Sequence, residues 1–159
     1  MFKVIDNFLD EQYFNELKNL LISFEFPWFY NDFISDKNDP KHYYYFTHIF
    51  YYNNSENSNF YPIWLKFLQK IDCKAVIRIK ANMYMNIGEK RKHKSHVDYD
   101  FPHKGCLLYL NDNNGETIFE DQNVKPKANR VVFFDPHKPH SSSCCTDQKR
   151  RLVVNFNYV

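Results

Sequence analysis

The sequence predicts a mainly β protein of the sandwich or barrel kind, with helices confined to its N-terminal part. Three observations carry this. Two segments, 75–87 and 151–158, alternate apolar and polar residues with period two. Short strand-like runs recur between turn signals from residue 75 onward, at a spacing of roughly 8–12 residues that suits sandwiches and barrels. Helical periodicity precedes these runs instead of alternating with them, which disfavours a parallel α/β sheet.

Taken in order, residues 10–24 read as a helix. Asp10 suits the N-cap, and Tyr13, Phe14, Leu17, Leu20, Leu21 and Phe24 recur at helical spacing before Pro27 stops it. A polar stretch over 36–40 leads to an aromatic, strand-like run at 43–52, then a polar loop at 53–59. A second helix is expected over 62–71, with Pro62 in the first turn. In 75–87, Ile77, Ile79, Ala81, Met83 and Met85 share one face, and Arg78, Lys80, Asn82, Tyr84 and Asn86 the other. Shorter runs follow at about 95–99, 105–110, 116–120, 130–134 and 140–143. In the last strand Leu152, Val154, Phe156 and Tyr158 oppose Arg151, Val153, Asn155 and Asn157. The apolar faces need the N-terminal helices as cover. The polar faces either line an interior cup or meet solvent; the pattern alone leaves both open.

The chain of 159 residues fits one domain, with 1–74 as helical and aromatic support and 75–159 as a β core. Aromatic residues make up 19%, so a mean hydropathy of −0.64 reflects abundant Asn, Lys and Tyr, not disorder. A net charge of +2 does not mark a nucleic-acid partner. No apolar run approaches the length of a membrane span, and the first residues do not read as a signal peptide. Cys73, Cys106, Cys144 and Cys145 form no C-x-x-C pair and read as reduced thiols of a cytoplasmic protein.

His96-Val97-Asp98 places an imidazole and a carboxylate on one face of an extended segment. Alone, that motif is weak. His140 follows the run 130–134 and a turn containing Asp135 and Pro136, and Arg151 opens the final strand. Two histidines and one carboxylate from separate segments suit non-haem Fe(II), and a guanidinium nearby can grip a dicarboxylate through paired hydrogen bonds.

This arrangement resembles the signature of the 2-oxoglutarate/Fe(II) dioxygenases. Gly115-Glu116-Thr117 and the run from Asn129 to Asp135 resemble the family's flanking segments. Val4-Ile5-Asp6-Asn7-Phe8-Leu9 before a helix resembles the opening of its prolyl-4-hydroxylase-like branch. Phe26-Pro27-Trp28-Phe29-Tyr30 is similar to small phage-encoded members. The resemblance implies a double-stranded β-helix, or jelly roll, with helices packed on one sheet. It implies Fe(II) on His96, Asp98 and His140, and 2-oxoglutarate as cosubstrate with Arg151 on its distal carboxylate. Tyr84 and Thr117 are implied as further contacts to that carboxylate. It implies O₂ and a peptide or small-molecule substrate, a prolyl residue first and a free amino acid second, with ascorbate as an accessory candidate. A phage-encoded member would act in the host cytoplasm.

His137 lies inside the turn and breaks the spacing to Arg151, so His140 is preferred. Arg150 falls on the wrong strand face. His93 and His103 read as loop residues. The basic run 90–94 either greets an anionic substrate or is a solvated loop. Tyr99 and Asp100 line an entrance or simply pack, and the aromatic run with His48 is a lid or core. A nucleobase-demethylating relative would carry a second arginine where this chain has Asn157. A non-catalytic jelly-roll binding module and a zinc hydrolase are the readings from other classes. For the hydrolase, no acid/base carboxylate stands at a recognisable spacing.

Overall fold

Asp10 begins the first helix through chemistry the sequence declares: its carboxylate accepts the Tyr13 backbone N–H at 2.9 Å. The computed structural model describes residues 2–38 and 44–159. In chain order the elements are β1 Lys3–Ile5, α1 Glu11–Ile22, β2 Phe29–Asn31, β3 Tyr45–Tyr52, β4 Ser55–Glu56, a 3₁₀ turn Tyr61–Trp64 and α2 Leu65–Lys70. There follow β5 Val76–Met85, β6 Lys104–Tyr109, β7 Thr117–Ile118, β8 Asn123–Val124, β9 Arg130–Phe134, β10 Ser141–Ser142 and β11 Arg150–Tyr158.

The strands form two antiparallel sheets. The larger runs β1-β9-β6-β11-β5-β3-β2, with β4 paired to β3; the smaller is β10-β7-β8. Bridges Lys92↔Ser143 and His96↔His140 lay the segment before β6 along β10, extending the smaller sheet. The result is the expected jelly roll, with α1 and α2 on the outer face of the larger sheet.

Alternation in β5 and β11 decides both faces. Ile79, Ala81, Leu152, Val154, Phe156 and Tyr158 join Tyr13, Phe14, Leu17, Leu21, Trp64 and Phe67 in the helix-covered core. Phe67 stacks on Phe156 at 4.2 Å between ring centres, and Trp64 meets Phe156 edge-on at 5.2 Å. Burying each such ring contributes about 1.5–3 kcal/mol. The opposite faces of β5 and β11 point between the sheets, beside Tyr45, Leu107, Tyr109, Val132 and Phe134. The polar faces are therefore interior walls, not solvated surface.

The N-terminus is tied to the β core. β1 pairs with β9, and Asn129 clamps Leu9 from both sides: its Oδ1 accepts the Leu9 N–H and its Nδ2 donates to the Leu9 carbonyl, each at 2.8 Å. Asn129 has φ 61°, a left-handed conformation that asparagine tolerates.

Several expectations need correction. Helix α1 ends at Ile22, not at Phe24, because Ser23 turns extended; Phe24 is fully exposed and Phe26 enters the core in its place. The second helix splits into a 3₁₀ turn and a short α-helix. The run at 95–99 is not a strand but an extended segment held by isolated bridges. Strands β1, β2, β4 and β8 went unread. Tyr43 and residues 39–40 of the polar stretch lie outside the described residues.

Candidate active site

His96 and Asp98 reach one point because the extended segment carries them on the same face. His140 joins them because it is directly opposite His96 in an antiparallel bridge, each backbone N–H bonding the other's carbonyl at 2.9 Å. Their rings lie 4.7 Å apart. Asp98 is fixed by its own N–H to the Pro136 carbonyl at 2.9 Å. One ligand atom from each of His96, Asp98 and His140 falls within 4.8 Å of the others. His137 is exposed and its Nδ1 faces the Tyr99 carbonyl, so it stays outside the cluster.

The protonation states suit a metal. The His140 Nδ1–H donates to the Lys138 carbonyl at 3.0 Å, which leaves a lone pair on Nε2. Burial, then the neighbouring His140, pushes the His96 pKa down to about 4, so this imidazole is neutral at pH 7. For Asp98, burial acts to raise the pKa but is overcome by Arg78, His140, Asn157 and Asn155, which hold the carboxyl well below the usual range. Arg78 donates to Asp98 Oδ1 at 2.7 Å, while Asn155 and Asn157 donate to Oδ2 at 3.0 and 2.9 Å. A neutral His96 imidazole, a His140 ring held through Nδ1 and one ionised, oriented carboxylate make a donor set that suits a divalent cation such as Fe(II).

At the other end of the same pocket lies Arg151, only 1% exposed. Its Nη2 donates to Thr117 Oγ1 at 2.8 Å, and that oxygen also meets the Tyr109 hydroxyl at 2.6 Å. The guanidinium carbon lies 5.2 Å from the Tyr84 ring centre and 5.7 Å from that of Tyr109. Arg151 Nε and Nη1 are buried without a partner, and Arg151 forms no ion pair among the described residues. A buried guanidinium with two free donors is costly unless an anion completes it. Arg150 is on the opposite face of β11, as expected.

The pocket encloses roughly 490 Å³, part of it open to solvent, between the two sheets. Tyr84 is buried there, with its ring stacked on Tyr45 at 5.5 Å and on His93 at 5.2 Å. Tyr45 is thus a wall of the site, whereas His48 is core, bonded to the Pro27 carbonyl and the Ser58 hydroxyl at 2.7 Å each. Lys80 also faces the cavity. Burial and the nearby Arg78 push its pKa down to about 8.

Sequence reading missed Arg78, Asn155 and Asn157 as holders of Asp98, although it had placed all three on polar strand faces. It missed Tyr109 beneath Arg151. His93 is a loop residue, as expected, but a buried one, with Nδ1 2.8 Å from the Ser142 hydroxyl and Nε2 3.3 Å from Cys144 Sγ. The basic run is partly neutralised: Lys90 pairs with Glu116 at 3.3 Å, Arg91 with Glu89 and Lys94 with Asp36. Tyr99 packs against Arg78, 5.2 Å from ring centre to guanidinium carbon. No helix among the described residues is long and apolar enough to cross a membrane.

The sequence model of the 2OG-Fe(II) oxygenase superfamily matches residues 79–159, the stretch from within β5 through β11 that carries His96, Asp98, His140 and Arg151. No curated protein matches the sequence. Among solved structures, an oxidoreductase of the 2OG-Fe(II) oxygenase family from Burkholderia pseudomallei is similar with a TM-score of 0.69 at 10% identity, over 99% of this chain and 84% of that one. A prolyl hydroxylase from Trichoplax adhaerens, solved with a hypoxia inducible factor peptide fragment, gives 0.65 at 17% identity over 99% and 82%. A Pseudomonas putida prolyl-4-hydroxylase gives 0.58 at 11% identity over 99% and 91%. At these identities the solved structures speak for the fold, and the family model speaks for the chemistry. The chain belongs to the 2OG-Fe(II) oxygenase superfamily, which uses Fe(II) and 2-oxoglutarate, and is a 2-oxoglutarate-dependent dioxygenase.

Proposed function

We propose that His96, Asp98 and His140 hold Fe(II), that Arg151 seats the distal carboxylate of 2-oxoglutarate, and that the enzyme hydroxylates a prolyl residue in a peptide or protein, releasing succinate and CO₂. The observation that carries the cosubstrate assignment is the pair of unpartnered donors on buried Arg151. Thr117 holds one edge of that guanidinium and Tyr84 stacks against it, so both act on the carboxylate seat; Tyr84 adds its own hydroxyl to the carboxylate. When bound, the iron supplies the O₂ chemistry that couples oxidative decarboxylation of 2-oxoglutarate to oxidation of an unactivated C–H bond. The chain's own residues orient the ligands: Arg78, Asn155 and Asn157 fix Asp98, and the Lys138 carbonyl fixes the His140 tautomer.

Two features support a polypeptide substrate. The pocket-facing side of the larger sheet continues outward through Thr47, Ile49 and Phe29, with Ile49 37% and Phe29 60% exposed. That apolar shelf offers an extended chain a surface to lie on. The likeness to prolyl hydroxylases, one of them holding a peptide, points the same way. A free amino acid is the second reading, favoured by an additional cation in the pocket, Lys80. A non-catalytic module fits poorly with a complete triad and a complete arginine seat.

The reading takes residues 1–159 as one dioxygenase domain, and the β1–β9 pairing supports it. Four free cysteines fit a reducing cytoplasm, that of the host if a phage encodes the chain, and ascorbate is a candidate reductant for resting iron. The test is anaerobic loading with Fe(II) and 2-oxoglutarate, followed by O₂ and a panel of prolyl peptides and free amino acids. Succinate formation stimulated by prolyl peptides is expected. Stimulation by free amino acids alone contradicts the peptide assignment, and no succinate with any member contradicts the reaction.

A further inference from the structure

The pocket holds a second cation without a counter-ion. Lys80 stands on the same face of β5 as Arg78, Asn82 and Tyr84, half-buried, and lines the cavity with His96, Asp98 and His140. Its ammonium donates to the Tyr45 hydroxyl at 3.3 Å and lies 5.6 Å from the Tyr45 ring centre. It forms no ion pair among the described residues. Asp98 acts on it electrostatically but has both oxygens engaged, Oδ1 by Arg78 and Oδ2 by Asn155 and Asn157.

The charge balance is simple. Among the side chains alone, Arg78 and Asp98 offset one another while Arg151 and Lys80 remain uncompensated inside one cavity, and a bound Fe(II) would add further positive charge. Arg151, buried and unpaired, is costly without an anion, and Lys80, half-buried in the same cavity, is a second cation that an anion arriving with a ligand can meet. The strand register separates the two. Lys80 is opposite Asn155, which holds Asp98; Tyr84, four residues on, is opposite Arg151. Along the strand that is roughly 13 Å. Beside Lys80, the side-chain oxygens of Asn82 and Asn155 are buried without donors. The Asn155 amide cannot simply be flipped, because its Nδ2 is committed to Asp98. Those two acceptor oxygens call for a donor group on the ligand, and Lys80 is the residue at this end that would take its anion.

We propose that Lys80 is a second anion-holding residue, taking a carboxylate at the Asp98 end of the pocket while Arg151 takes one at the Thr117 end. The proposal rests on the 2-oxoglutarate reading above. The carboxylate comes either from the keto-acid end of 2-oxoglutarate or from the substrate, and Lys80 positions it in both cases.

The experiment compares wild type with Lys80→Met, Lys80→Arg and Arg151→Met, each loaded with Fe(II) under anaerobic conditions. Calorimetry measures binding of 2-oxoglutarate and of 2-oxopentanoate, which lacks the distal carboxylate. A tenfold or greater loss of affinity for both acids in Lys80→Met, largely restored in Lys80→Arg, assigns the keto-acid carboxylate. Arg151→Met is then expected to lose 2-oxoglutarate but not 2-oxopentanoate. If keto-acid binding is unchanged, the second arm follows succinate formation with L-proline against L-prolinamide, and with prolyl peptides as free acids against their carboxamides. A preference for the acids in wild type that disappears in Lys80→Met assigns the substrate carboxylate. Unchanged binding together with no such preference overturns the proposal. Failure of wild type to bind 2-oxoglutarate overturns the underlying reading instead. Thermal melting of each variant separates these outcomes from misfolding.

Discussion

Asn157 donates its side-chain amide to Asp98 Oδ2 at 2.9 Å, so the last strand holds the carboxylate of a segment almost sixty residues earlier in the chain. Asn157 is fully buried and also meets His103 Nε2 at 3.0 Å. Partners that orient a ligand typically matter 10–100-fold in metal affinity. Asn157→Ala is therefore expected to weaken Fe(II) binding by about that factor while the fold persists. Anaerobic metal titration with circular dichroism checks both halves.

Gly115 leaves room for Arg151. A Cβ there would lie 2.9 Å from Arg151 Cδ, 2.8 Å from Asn113 Oδ1 and 3.1 Å from the Ser143 carbonyl oxygen. In Gly115→Ala the arginine stem or the loop must shift. Since a misplacement of about 1 Å can cost on the order of 100-fold, 2-oxoglutarate affinity should fall tenfold or more. Metal affinity should change little. Separate titrations of metal and cosubstrate decide it.

Asp6 gives a pH-dependent signature away from the pocket. Hydrogen bonds from Arg130 and Lys127 lower its pKa to about 2, joining the chain after β1 to β9. A folded-state pKa below the unfolded one adds stability above roughly pH 4, lost as pH falls toward 2. The pair is more than one-third exposed on the Asp6 side, so solvent screening limits it to about 1 kcal/mol or less. Asp6→Asn should lower Tm slightly at pH 7, with the difference from wild type vanishing near pH 2. Melting curves across that range test the sign.

Much of this was legible because its causes are local. Alternation in β5 and β11 follows from a strand's period of two, and Asp10 announces its helix through one capping bond. His96 and Asp98 share a face by spacing alone. What sequence could not supply was register. Asn155 and Asn157 become holders of Asp98 only when β11 lies beside β5 and an irregular segment crosses above them. The strands missed are two or three residues long, too short to show a period, and exist through pairing with distant partners. His93 looked like part of a charged loop because its burial depends on packing against Tyr84 and on Ser142, which is remote in sequence. Phe24 continued the helical pattern, but the extended backbone at Ser23 had already ended it.

The central assignment is the metal set and its arginine, and visible spectroscopy of the anaerobic Fe(II)–2-oxoglutarate complex reaches both. A metal-to-cosubstrate charge-transfer band is expected in wild type and in His137→Ala. It should be lost in His140→Ala, and in Arg151→Met it should return only at much higher 2-oxoglutarate. A band that survives in His140→Ala, or that depends on His137, would contradict the assignment.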